Sequence, residues 1–145
     1  MITVEREIRA SAESVWNVLA DGWLYTSWVV GASRMRAVDA NWPAVGAVLH
    51  HSQGVWPALL NDETRVKTSV PGSELVLHGK ARPVGEVAIR LLLEPRQGSC
   101  LVVMQEDFVR GPMSLIPTPV RVALIRPRNT ESLRRLSYLA EGGSR

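Results

Sequence analysis

Cysteine is almost absent. Cys100 stands alone, so the chain can form no internal disulfide and no thiolate metal site. It lies in a strand-like run, where it reads as a small buried hydrophobe rather than a nucleophile. There are only three histidines, and the adjacent pair His50 and His51 can direct only one ring to each side of a strand, so no metal centre is expected. No apolar run approaches membrane-spanning length, and the opening MITVEREIRA is charged and has no apolar core. Neither a membrane span nor a signal peptide is expected. Gly-rich phosphate loops and a G-x-S-x-G nucleophile elbow are missing as well. The expected setting is the reducing cytoplasm, with no cofactor.

Phenylalanine is scarce too, with one Phe against five Trp. An indole N–H needs a partner, so a core built only for packing favours Phe and Leu. Trp16, Trp23, Trp28, Trp42 and Trp56 all fall in the first 56 residues. Clustered indoles suit a broad, slightly polar cavity wall as well as they suit a plain core.

Acidic residues thin out towards the end. Residues 110–145 hold seven Arg against Glu131 and Glu141, whereas residues 1–109 hold ten basic and twelve acidic side chains. The arginines alternate with apolar residues at helical intervals, the pattern of a solvated helix face, and Tyr138 is their only aromatic companion. Nucleic-acid binding is not expected. At 145 residues, 46% hydrophobic and 21% charged, the chain fits one domain over 1–145.

What is present follows a clear order. Residues 2–9 alternate as a half-buried strand, with Ile2, Val4 and Ile8 on one side. Ser11 then reads as a helix N-cap, Ala12, Val15, Trp16 and Leu19 fall at helical spacing, and Asp21-Gly22 ends the helix. Residues 23–30 read as a second short helical turn followed by extended chain. Runs at 33–39, 46–53, 59–70, 73–82, 84–94 and 99–109 read as strands, separated by turn residues such as Pro71-Gly72 and Gln97-Gly98. Such short connections forbid parallel crossovers. Near the end, Val122, Ile125, Asn129, Leu133, Leu136 and Ala140 form one helical stripe interrupted by Pro127. The helix either kinks there or restarts near Asn129. Capping of the restarted helix is the role expected of Asn129, the alternative being a hydrogen bond across a cavity.

The fold class expected is α+β: a seven-stranded curved antiparallel sheet around a long C-terminal helix, with two short helices after the first strand. A small sheet of this kind curls, and only the last helix is long enough to cover its concave face. Because that helix cannot fill the whole concavity, a cavity is expected between them.

The opening V-E-R-E-I-R-A-S-A-E-S-V-W-N-V-L-A-D in this order of elements resembles the helix-grip, START-like (SRPBCC) superfamily of polyketide cyclases/dehydrases, pollen-allergen-type proteins and lipid-transfer domains. The segments W-P-A-V-G-A-V-L-H-H, L-N-D-E-T-R-V and R-N-T-E-S-L-R-R-L-S-Y-L-A-E-G are similar to an uncharacterised bacterial branch of it. The resemblance spans nearly the whole chain and is specific for fold rather than chemistry.

Strand alternation nominates the site. In 59–70 the inward row carries Leu60, Asp62, Thr64, Val66, Thr68 and Val70; in 99–109 it carries Cys100, Val102, Met104, Glu106 and Phe108. Each row thus holds one acid on an apolar face, suited to general acid–base work or to anchoring a ligand's polar group, or else paired with an arginine. His51 faces inward if Leu49 does. The catalytic candidates are Asp62, Glu106 and His51. Trp28, Leu60, Asp62, Val66, Met104, Glu106, Phe108, Val122 and Ile125 are the expected lining of a cavity of several hundred Å3, the usual size of a ligand pocket. The function expected is binding or sequestering of an apolar, aromatic, polyketide- or lipid-like molecule. The alternatives are a cyclase or dehydratase acting on a polyketide-like substrate, and a protein-interaction module with a residual cavity. A homodimer is compatible with all three.

Overall fold

The computed structural model describes residues 1–53, 60–81 and 85–143. Strand β1 (Ile2–Ile8) buries Ile2, Val4 and Ile8 and turns the alternate residues outward. Ser11 then caps helix α1 (Ala12–Ala20), its hydroxyl accepting the Ser14 N–H at 3.0 Å. The buried face of α1 is Val15, Trp16, Val18 and Leu19. The Asp21 carboxylate accepts the Trp23 N–H at 3.2 Å and starts a 3-10 turn, Gly22–Leu24, which runs straight into helix α2 (Tyr25–Trp28).

Six strands follow: β2 (Ala32–Val38), β3 (Val48–Gln53), β4 (Leu60–Val70), β5 (Glu74–Ala81), β6 (Gly85–Arg96) and β7 (Ser99–Arg110). They form one antiparallel sheet in the order β1-β7-β6-β5-β4-β3-β2, so the first strand lies beside the last. The tight reversals at Gly72 and Gly98 have φ of 75° and 74°, a region that favours glycine and explains the turn residues read in the sequence. Register shifts interrupt the β2–β3, β4–β5 and β6–β7 ladders and add the local twist that curls the sheet.

Helix α3 (Thr118–Gly143) is continuous through Pro127. Both Pro127 and Ala123, whose carbonyl loses its partner N–H, are exposed, so water satisfies the freed oxygen and the helix need not end. The expected stripe faces inward: Ile125, Asn129, Leu133, Leu136 and Ala140 are buried and Val122 is partly buried. Asn129 therefore lies inside the helix and does not cap it. The helix rests chiefly on β1, β7, α1 and α2. Trp16 and Trp28 join the shared core with Leu49, Val66, Leu91, Met104 and Leu133. No helix among the described residues is long and apolar enough to cross a membrane.

Candidate functional site

Because α3 sits over the β1–β7 side of the sheet, the inner face of β3 to β6 is left to α2 and the turn that follows it. A cavity of about 60 Å3 remains between these parts. Its apolar walls include Val29, Val87 and Ile89; its polar groups come from Tyr25, His51, Thr64, Lys80 and Arg128. The exposed Gly31 and the partly exposed Arg128 mark its mouth. Gly79 occupies the inward position on β5. A Cβ there would lie 3.2 Å from both Thr64 Oγ1 and Val87 Cγ2, so glycine keeps the space open.

His51 has the densest set of contacts. Its Nε2 lies 2.8 Å from Thr64 Oγ1, and its ring tilts against Tyr25 with centroids 5.4 Å apart. Tyr25 in turn meets Trp28 edge-on at 5.7 Å. Burial lowers the His51 pKa, with Asp62, its cross-strand partner, pulling it back up. A neutral ring that donates from Nε2 to Thr64 leaves Nδ1 as a bare acceptor, and Nδ1 has no hydrogen-bond partner among the described residues. Burial also raises the Tyr25 pKa, against an opposing hydrogen bond with Thr64, so the phenol keeps its proton.

Arg128 connects the mouth to the core. Its side chain is 34% exposed, and Nη2 donates to Glu106 Oε1 at 3.2 Å, on a carboxyl with no exposed surface. Burial raises the Glu106 pKa; Arg128 and then the Asn129 amide lower it, and Asp107 raises it slightly. Asn129 sits beside this carboxyl, yet neither its Nδ2 nor its Oδ1 has a partner of hydrogen-bonding geometry among the described residues. Farther up α3, Arg121 approaches Asp107 to 3.5 Å, both side chains being mostly buried. Two arginines of α3 thus grip consecutive acids of β7. Arg134 and Arg135, paired with Glu131, do lie on the solvated face that the sequence suggests for all of them.

The residues nominated from strand alternation divide clearly. Asp62, Val66, Met104 and Glu106 point inward and are buried at 2%, 1%, 1% and 0% exposure, and His51 at 3%. Among the described residues of that set, His51 alone lines the cavity. Trp28, Val66 and Met104 are packed into the core and Phe108 lies against it. Ile125 is buried and Val122 half-buried, on the face α3 presents to the sheet. The Leu60 side chain lies outside the described residues, as does Trp56. The space is also much smaller than the several hundred Å3 expected, and Trp28, Leu133 and Leu136 are packed into the core. Tyr25, Gly79 and Arg128 were not nominated: Tyr25 lies on a four-residue helix with no periodicity to read, Gly79 contributes only an absence, and Arg128 reads as surface charge. Cys100 is free and fully buried, and burial raises its thiol pKa. No group of three or more His, Cys, Asp or Glu among the described residues is arranged to hold a metal.

A curved sheet gripping one long helix, with a partly polar cavity between them, defines a helix-grip protein of the START-like class. The family model described as "Polyketide cyclase / dehydrase and lipid transport" matches residues 1–141, and the chain belongs to that family. Among solved structures it is similar to the Zhui aromatase/cyclase from Streptomyces sp. R1128, with a TM-score of 0.74, 18% identity, and 99% and 94% of the two chains covered. It is also similar to protein CV1439 from Chromobacterium violaceum, at 0.70 and 16% identity with 95% of each chain covered. Ara h 8.0201 matches at 0.69 and 11% identity, with 97% of each chain covered. At these identities the likeness is one of fold. No curated protein matches the sequence.

Proposed function

We propose that residues 1–145 act as one ligand-binding unit that takes a small, largely apolar molecule carrying an oxygen function into the cavity between α3 and the inner face of β3 to β6. The supporting observation is the convergence of Tyr25, His51, Thr64 and Arg128, from separate elements, on a space walled by Val29, Val30, Val87 and Ile89, with the exposed Lys80 also in its lining. Arg128 suits a carbonyl or carboxylate oxygen, and the neutral His51–Tyr25 pair offers one acceptor and one donor. The family's cyclase, dehydrase and lipid-transport description and the aromatase/cyclase likeness agree with an apolar ligand. The proposed setting is the cytoplasm, where a lone buried cysteine is unremarkable. Native mass spectrometry of protein from its own host should show a retained small molecule. An apolar fluorophore should bind and alter Trp emission, and Arg128→Gln should weaken a carboxylate-bearing probe by roughly ten- to a hundredfold, the loss of one charged hydrogen bond of ~1.5–3 kcal/mol. Absence of binding at high micromolar probe would transfer the proposal to the protein-interaction reading.

One observation favours a second reading, turnover of a polyketide-like substrate. The supporting feature is His51, a residue of the cavity lining whose Nδ1 has no hydrogen-bond partner among the described residues and so suits a base. For a β-hydroxy carbonyl compound, Nδ1 would take the α-proton while Arg128 steadies the carbonyl oxygen as it gains charge. The β-hydroxyl would then leave as water with a proton returned from the imidazolium, so that a C–H and a C–O bond are exchanged for C=C. His51→Gln should abolish turnover and retain binding; equal loss of both would refute the acid–base role.

A further inference from the structure

Two of the five indoles have no part in the cavity under α3 or in the centre of the core. Trp23 and Trp42 instead wall a groove of about 380 Å3 between the end of α1 and the β2–β3 connection. It shares no lining residue with the cavity under α3. The geometry points to a binding site for a small organic cation, of the substituted-ammonium type, held between these indoles and the carboxylates of Asp21 and Asp39.

The groove is a fixed structure. The Trp42 Nε1–H donates to the Leu19 carbonyl at 3.1 Å, which ties its ring to α1. Gly22 packs beneath it so closely that an added Cβ would lie 2.7 Å from Leu49 Cδ2 and Val38 Cγ1, and 3.3 Å from Trp42 Cδ1. Trp23 is 58% exposed on this support, whereas Trp16 and Trp28 are buried. Trp23 is thus largely open to solvent, and it stands where a second indole and two acids converge.

The charge is of one sign. Among the described residues no Lys, Arg or His lines the groove, while Asp21 and Asp39 both do. Each carboxylate is anchored by a backbone N–H, Asp21 by Trp23 at 3.2 Å and Asp39 by Val48 at 3.0 Å. Asp39 also has the His50 ring 3.5 Å away, outside the lining. Acids that accept from backbone N–H donors are held in position. Indole is the best aromatic partner for a cation, and a carboxylate beside it repels anions. A purely apolar guest would have to strip water from both acids with nothing in return. The groove is largely open to solvent, and its volume of about 380 Å3 leaves room for a free small cation.

The test uses the whole protein and choline as the probe, read through the indole N–H resonances of Trp23 and Trp42. Choline should shift both saturably, while its neutral isostere 3,3-dimethyl-1-butanol should shift neither at the same concentration. Trp23→Ala and Asp21→Asn, at exposed positions and checked for fold by circular dichroism, should each weaken choline about tenfold, a loss of ~1.4 kcal/mol. Neither change should alter the binding of an apolar fluorophore under α3, which separates this site from the proposed ligand cavity. Equal binding of the neutral isostere, or no saturable shift at tens of millimolar choline, would overturn the assignment.

Discussion

Glu106 and His51 respond to pH in opposite directions, because burial disfavours the charged form of each, which is the deprotonated form of a carboxyl and the protonated form of an imidazole. Burial raises Glu106 above its ordinary value of 4.5, so the folded chain holds a proton that the unfolded chain releases. Its contribution to stability is complete below that value and is lost as pH rises through the folded pKa. His51 is lowered from 6.5, so its contribution is present above that value and is lost as pH falls towards the folded pKa. Glu106→Gln should remove the first dependence and leave the second. Urea unfolding from pH 4.5 upwards should show the variant gaining on the original chain, with a slope of up to ~1.4 kcal/mol per pH unit for one proton. Arg128, being partly exposed, keeps its hydration in the variant, so a constant offset is also expected. A difference that does not change with pH would show that Glu106 is already ionised. The inward direction of Glu106 and Asp62 was legible in the sequence because period-two alternation survives on β4 and β7. The arginine that meets Glu106 was not legible, since a helical charge pattern carries no record of which arginines fold back on the sheet.

Elements were legible where periodicity is long. All seven strands and the terminal helix follow from alternation, turn residues and the stripe through Ala140. Continuity at Pro127 was not, because it depends on whether the orphaned carbonyl meets water or core, which is a tertiary fact. Pro127→Ala should restore the Ala123 hydrogen bond and stabilise the protein by up to ~3 kcal/mol, seen as a higher unfolding midpoint in denaturant. A loss of stability instead would mean that the proline sets the approach of Arg128 to Glu106. At the other end of the molecule, Gly22 joins α1 to the sheet with no room for a methyl group. Gly22→Ala should cost about 1–3 kcal/mol through overpacking against Leu49 and Val38. An unchanged unfolding midpoint would show that those two side chains can move aside.

At the scale of the whole molecule, the existence of a cavity was legible from sheet curvature, and its size and lining were not. Both depend on where the helix rests across the sheet, a choice made by Trp28, Leu133 and Leu136 packing together rather than by any one strand. A ring-bearing ligand exceeds the 60 Å3 now enclosed, so entry requires the turn after α2 to part from α3. Among the described residues a hydrogen bond spans that seam near the mouth: the Val30 N–H donates to Ser132 Oγ at 3.1 Å, across 102 residues of sequence. Val30 lines the cavity and Ser132 is buried on α3, so the bond holds the wall against the gripping helix. Ser132→Ala removes the acceptor with little change of volume and should cost the closed state about 1 kcal/mol. Stopped-flow mixing with an apolar fluorophore should then give an association rate about fivefold faster, and the Val30 amide should exchange its hydrogen faster in parallel. Faster exchange with an unchanged association rate would place the ligand's entry somewhere other than this seam.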